Sequence, residues 1–308
     1  MIRVYHSPRY TAAIGEHVMP MRKFDLVRQA LLDEGVAVDL REPRPILEGD
    51  LLRVHTPEYV RAIATGEPRA LAESQKFPWS PALADSVRWT AGGSASAVRA
   101  ALDDGIAGSL SSGYHHAHAD HGEGFCTFNG LVVALERERA AREIERGLIV
   151  DLDVHYGNGT ASLLASRPAL FNLSIYGSWY KANQASSDVD AERAPDTANT
   201  WSVPVPNRTD GPAYLRLVET HLTTAIARAR PDVILYQAGA DPYREDPYSP
   251  LDLGVDDLLA RDRLVFAAAR AARIPIAWVL AGGYTKDITK IVAVHVNTTR
   301  AAKQVFDR

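Results

Sequence analysis

The sequence predicts an α/β fold: a doubly wound, mainly parallel sheet with helices on both faces. Short runs of nearly continuous Val, Ile and Leu read as strands buried on two sides. Helical patterns separate those runs. Several helical patterns open on start signals, such as Thr56-Pro57 and Asp210-Gly211-Pro212. Strands that alternate with helices in this way build parallel sheets.

In chain order the strand candidates are Ile2–Tyr5, Ile106–Leu110, Leu148–Leu152, Leu170–Ile175, Val233–Tyr236 and Ile276–Leu280. The helix candidates are Lys23–Glu34, Pro57–Thr65, Pro81–Asp103, Leu131–Glu145, Pro212–Arg228, Val255–Arg270 and Lys286–Ala302. Nothing between them reads as a linker, so one catalytic domain over residues 1–308 is expected. The longest stretch without periodicity is Tyr176–Thr200, with Gly, Ser, Asn, Asp and Pro spread through it. It follows a strand, where substrate-facing loops of such sheets lie.

Composition narrows the function. The chain has 308 residues, 46% hydrophobic and 23% charged, with net charge −4 and its Lys and Arg scattered. That argues against nucleic acid as a direct partner. The one cysteine, Cys126, permits no intrachain disulfide and fits a reducing compartment. No segment approaches the roughly 20 apolar residues of a membrane helix, and the first residues carry no signal-peptide pattern. A cytoplasmic location and no membrane partner are expected.

Ligands of open α/β sheets bind beyond the carboxyl ends of the strands. Four predicted strand ends lead into polar residues flanked by glycine: Gly113-Tyr114-His115-His116, Asp153-Val154-His155-Tyr156-Gly157-Asn158, Gly239-Ala240-Asp241 and Gly282-Gly283-Tyr284. Singly, each has an ordinary explanation, since an Asp after a strand caps a turn and paired histidines decorate loops. Together at one edge they point to chemistry. Asp153, His155 and Asp241 form an O, N, O donor set that leaves a position open on Zn²⁺ for water and a substrate carbonyl. The histidine pair supplies a base and an acid. The Tyr284 phenol supplies a donor for an oxyanion.

With these residues in view, the sequence resembles the histone deacetylase family of the arginase/deacetylase fold over nearly the whole chain. The matching pieces are Gly113-Tyr114-His115-His116-Ala117, Glu123-Gly124-Phe125-Cys126, Asp151-Leu152-Asp153-Val154-His155, Gly157-Asn158-Gly159-Thr160, Gly239-Ala240-Asp241 and Gly282-Gly283-Tyr284. Leu52-Arg53-Val54-His55-Thr56, Asp262-Arg263-Leu264-Val265-Phe266 and Gly282-Gly283-Tyr284-Thr285-Lys286 are closest in appearance to the class IV branch.

The resemblance implies a role for each matched position. Asp153, His155 and Asp241 hold zinc, with Fe²⁺ as the alternative metal. His116 is general base and then acid, and Asn158 orients it. His115, bonded to Asp151, stays protonated. Tyr284 donates to the oxyanion, Gly124 offers its carbonyl to the substrate amide, and Phe125 forms one tunnel wall. Asp151, Asp153, His155 and Ser174 hold a structural K⁺. The implied substrates are acylated lysine side chains or small N-acyl amines, with longer acyl chains tolerated if the class IV likeness extends to the pocket.

Some family members carry an acid where this chain has Asn158, a neutral amide that cannot raise the pKa of His116 as a carboxylate would. Tyr156 replaces a common histidine, with little effect expected on the chemistry. Trp179 or Tyr180 is the candidate for the opposite tunnel wall. His118 and His121 read as exposed loop residues before extra zinc ligands, and Cys126 as a small buried residue. Glu123, Asp188 and Asp190 are the acids a polyamine amine could meet at the entrance. Three other readings stand beside deacylation: an acetylpolyamine amidohydrolase, a binuclear manganese ureohydrolase, and a non-catalytic acyl-lysine binder. The ureohydrolase needs extra acids beside each ligand motif, which the sequence lacks. The binder would lose a ligand, the histidine pair or the tyrosine, and all are present. Oligomeric state stays open.

Overall fold

A computed structural model describes residues 1–177 and 197–307. Trp179, Tyr180, Asp188 and Asp190 lie outside the described residues. In chain order the elements are β1 (Arg3–Tyr5), α1 (Lys23–Asp33), β2 (Asp39–Arg41), α2 (Glu48–Leu51), α3 (Pro57–Thr65), α4 (Arg69–Ala72), α5 (Pro81–Asp104), β3 (Ile106–Ser112), α6 (Gly130–Ala140), β4 (Gly147–Asp151), α7 (Asn158–Leu164), β5 (Leu170–Gly177), β6 (Thr200–Val205), α8 (Gly211–Ala229), β7 (Val233–Ala238), α9 (Val255–Ala272), β8 (Ile276–Leu280) and α10 (Ile288–Phe306).

The eight strands form one parallel sheet in the order β2-β1-β3-β8-β7-β4-β5-β6. Every residue of β3, β4, β5, β7 and β8 is buried, as the near-continuous apolar runs demand. α5 packs on β3, β8 and β7 and carries α6, while α1, α10, α9 and α8 pack in succession as a second row of helices. This is the predicted architecture.

The departures have local causes. β2 and β6 were not predicted because they are edge strands. β2 is Asp-Leu-Arg, and β6 carries Pro204, which an edge tolerates. α6 stops at Ala140, short of the predicted Glu145, where Arg142 adopts a left-handed φ of 62° and Ile144 turns into the core. α10 starts at Ile288, capped by the Asp287 carboxylate on the Thr289 N–H.

Register shifts in β3, where Ser109 pairs with Val279 but Ser112 pairs with Leu280. Such a bulge re-aims a strand. Here it turns the chain just ahead of the tandem histidines.

Candidate active site

The strand order makes neighbours of the ends of β3, β8, β7 and β4. Those are the four ends whose loops carry His115-His116, Tyr284, Asp241 and Asp153/His155. Polar residues scattered along the sequence thus share one edge, at its centre.

Ligand atoms of Asp153, His155 and Asp241 all lie within 4.8 Å of one another, and all three side chains are buried. His155 Nδ1 faces Asp153 Oδ1 at 2.8 Å and Asp241 Oδ2 at 3.1 Å. Backbone N–H groups fix both carboxylates: Val154 donates to Asp241 Oδ1 at 2.9 Å and Gly282 to Asp153 Oδ2 at 2.8 Å. Two carboxylates buried side by side repel. Burial first, then the charge of Asp153, pushes Asp241 up to about 7. Burial acts on Asp153 too, but His115 and His155 outweigh it and hold its carboxyl well below the usual range. A cation between these donors would satisfy both acids, and the O, N, O set matches a zinc site with open positions. Gly282 is required for this close approach, because a Cβ there would overlap Asp241 Oδ2 and come within 2.8 Å of Asp153 Oδ2.

The two histidines have opposite surroundings. His115 Nδ1 donates to Asp151 Oδ2 at 2.7 Å. Burial opposes its charge, yet the Asp151 and Asp153 carboxylates prevail and raise its pKa. His116 Nδ1 donates to Asn158 Oδ1 at 2.6 Å. Burial, then the neighbouring His115 and His155, holds its pKa well below 6.5. The surroundings thus favour the charged form of His115 and the neutral form of His116.

Tyr284 follows β8 and lies half-buried against the ring of His155, their centroids 5.9 Å apart. Burial and the charges of Asp153 and Asp241 raise its phenol well above 10, so it stays a donor. Gly124 and Phe125 both adopt left-handed φ, +52° and 65°. The Phe125 ring stands 6.5 Å from that of Tyr284 and 4.6 Å from that of His17. Beneath these residues a cavity of about 20 Å³, lined by Met19, Tyr114, His116, Asp153, Gly282 and Tyr284 among others, reaches inward. It offers room for about one water or a methyl group.

Ser174 lies beside Asp151 in the β4–β5 register. Its buried hydroxyl has no hydrogen-bond partner among the described residues. An orphaned oxygen next to a buried carboxylate suits a monovalent cation. Tyr156 packs against Tyr176, their rings 5.1 Å apart. Burial pushes the Cys126 thiol up, which leaves it a poor nucleophile. His121, expected to be exposed, is half-buried, with Nδ1 2.7 Å from Asp120 Oδ1. His118 is buried further: its side chain is 18% exposed, and Nε2 lies 3.1 Å from Glu123 Oε2.

Four supporting residues escaped the sequence reading. Lys23, fully buried, donates to the Ala281 carbonyl at 2.5 Å, and burial lowers its pKa to about 8 against the pull of Asp241 and Asp153. Asp246 accepts from the backbone N–H of Tyr284 at 2.6 Å. Arg261 donates to the carbonyls of Gly239 (2.8 Å) and Leu152 (3.3 Å), bracing both ligand loops. His55 donates from Nδ1 to the His118 carbonyl at 2.8 Å and accepts the Asn129 N–H at Nε2 at 3.1 Å. The spacing of Lys23, Val27 and Leu31 places the lysine on the buried stripe of α1, a signal that could have exposed it.

Comparison with known proteins finds relatives over nearly the whole chain. An uncharacterised protein of Picosynechococcus sp. is 33% identical over 307 residues, covering 98% of this chain and 98% of the relative. A histone deacetylase-like amidohydrolase of Pseudomonas aeruginosa is 29% identical over 89% of this chain and 74% of its own length. Among solved structures, the HD domain of HDA15 superposes with a TM-score of 0.82 at 20% identity, covering 99% of this chain and 90% of that one. The model of the histone deacetylase domain, a family generally dependent on metal, matches residues 17–299. The chain belongs to the histone deacetylase family.

Proposed function

We propose that the protein is a zinc-dependent hydrolase that removes short acyl groups, acetyl first, from the side-chain amine of lysine in peptides or proteins. The observation that carries the reading is the meeting, at neighbouring strand ends, of a buried O, N, O donor set with two imidazoles, one bonded to a carboxylate and one to an amide. Asp153, His155 and Asp241 would hold the metal, for which Fe²⁺ is the alternative. When bound, the metal supplies Lewis acidity toward the amide carbonyl and toward water.

This chain's own residues do the rest. His116, neutral and with Nδ1–H committed to Asn158, presents Nε2 to take the proton of the attacking water and then passes it to the leaving amine. His115, held charged by Asp151, offers fixed positive charge to the developing anion without giving up its proton. Tyr284 donates its hydroxyl to the oxyanion. The Gly124 carbonyl accepts the substrate N–H, and Phe125 flanks the aliphatic stem. Asp151, the carbonyls of Asp153 and His155, and Ser174 would hold K⁺ beneath the site. The cavity of about 20 Å³ supports acetyl as the first substrate to test, and the longer acyl chains that the class IV likeness implies would need its lining to move.

No helix among the described residues is long and apolar enough to cross a membrane. A cytoplasmic protein acting on acylated peptide is the reading we adopt. Acetylated polyamines are the rival substrates, since they present the same amide. The test is a panel of N-acyl substrates of increasing chain length, on lysine peptides and on polyamines, with zinc-loaded enzyme. We expect acetyl-lysine to be cleaved fastest and turnover to fall as the chain grows. Hydrolysis of none of them by zinc-bound protein would overturn the reading.

A further inference from the structure

We propose that Glu123 is a positioning residue for His116, acting through Asn158 to fix which nitrogen of the base carries its proton. The inference rests on the reading of His116 as general base. Asn158 Nδ2 donates to Glu123 Oε2 at 3.0 Å and also lies 3.2 Å from His118 Nε2, while Asn158 Oδ1 accepts from His116 Nδ1 at 2.6 Å. An amide has two unlike ends, and an ionised carboxylate only accepts. Glu123 therefore holds the NH₂ end toward itself and turns the carbonyl to the histidine. That carbonyl also only accepts, so His116 Nδ1 must carry the proton and Nε2 is left with its lone pair.

The opposite orientation fails twice. It would bring the Asn158 oxygen up against the Glu123 carboxylate. It would also present NH₂ to His116 Nδ1, moving the ring proton to Nε2, where the base could no longer take one.

Glu123 is itself held. Its side chain is 14% exposed, and His118 Nε2 lies 3.1 Å from the same oxygen. His118 Nδ1 in turn meets Ser162 Oγ at 2.8 Å. On the backbone, Glu123 and Cys126 exchange hydrogen bonds at 3.2 and 2.8 Å. The Glu123 carboxylate, expected from the sequence at the entrance, is thereby engaged with Asn158 and His118. The acid that some family members place directly behind the second histidine is here set one residue further back and works through an amide.

The test combines a double-mutant cycle with nitrogen-15 NMR of histidine-labelled, zinc-loaded protein. In the parent, His116 should be a single tautomer protonated on Nδ1. Glu123→Ala should give mixed tautomers and lower kcat on the order of tenfold, with KM within about twofold. Glu123→Gln, whose amide oxygen can still face Asn158, should recover most of the rate. In an Asn158→Asp background, whose two oxygens need no orienting, Glu123→Ala should cost nothing further. An unchanged His116 tautomer in Glu123→Ala, or the same kcat loss in both backgrounds, would overturn the proposal. A parent that hydrolyses no N-acyl amide would defeat the deacylase reading instead, with the NMR arm still deciding this one.

Discussion

The rings of His115 and His116 lie 4.0 Å apart, centroid to centroid, and their Nδ1 atoms donate to a carboxylate and to an amide respectively. Adjacent in sequence and nearly in contact, they are pushed in opposite directions: against the cost of burial, the Asp151 and Asp153 carboxylates raise the pKa of His115, while burial and the neighbouring imidazoles lower that of His116.

The pH profile follows. His116 works unprotonated, and burial with two neighbouring imidazoles lowers its pKa. Activity should therefore be lost as pH falls, with the acid limb of kcat/KM below 6.5. Asn158→Asp should move that limb upward by about one unit, since a carboxylate favours the imidazolium. An acid limb above pH 7 in the parent would contradict the assignment.

Tyr284→Phe removes the oxyanion donor while leaving the ring that packs on His155. We expect kcat to fall by about 10²–10³ with zinc content unchanged. Full activity in this variant would show that the hydroxyl plays no part.

Gly282→Ala places a methyl group against Asp241 Oδ2. The carboxylate must move, so zinc affinity, measured by competition with a chelating dye, should drop on the order of 100-fold. The fold should survive, as judged by an unaltered far-UV spectrum.

His55 predicts an acid weakness. Burial lowers its pKa to about 4, against 6.5 in the unfolded chain, and both ring nitrogens are used in the neutral form. The unfolded state thus binds the proton first. The stability that His55 contributes is complete above pH 6.5 and is lost as pH falls through that window, about 3 kcal/mol by pH 4. Urea titrations at pH 7, 5.5 and 4 should show the decline, and His55→Asn should be weaker at pH 7 but flatter across the range.

The site was legible because its core residues directly follow strands whose apolar runs are unmistakable. Asp153, His155, Asp241 and Tyr284 need only the rule that ligands gather beyond strand ends. The supporting residues were not legible, because nothing local distinguishes them. Lys23 reaches a carbonyl 258 residues away, and Asp246 grips a backbone N–H 38 residues on. Glu123 and His118 read as a polar loop, and only the folded chain brings them behind Asn158. The same holds for the sheet. Its buried strands are apolar runs, whereas β2 and β6 have little burial to encode. α7, which opens on Asn158-Gly159-Thr160, is too short and too rich in weak helix formers to stand out.

β8 is the last of the described strands in chain order, yet it takes the middle of the sheet. β2, β1 and β3 form one flank, β7, β4, β5 and β6 the other, and β8 alone joins them. Without residues 276–280, the flank that bears His115 and His116 has no strand pairing to the flank that bears Asp153, His155 and Asp241. The histidine pair and the donor set thus sit on opposite sides of β8, and their meeting depends on that strand's pairing with both β3 and β7.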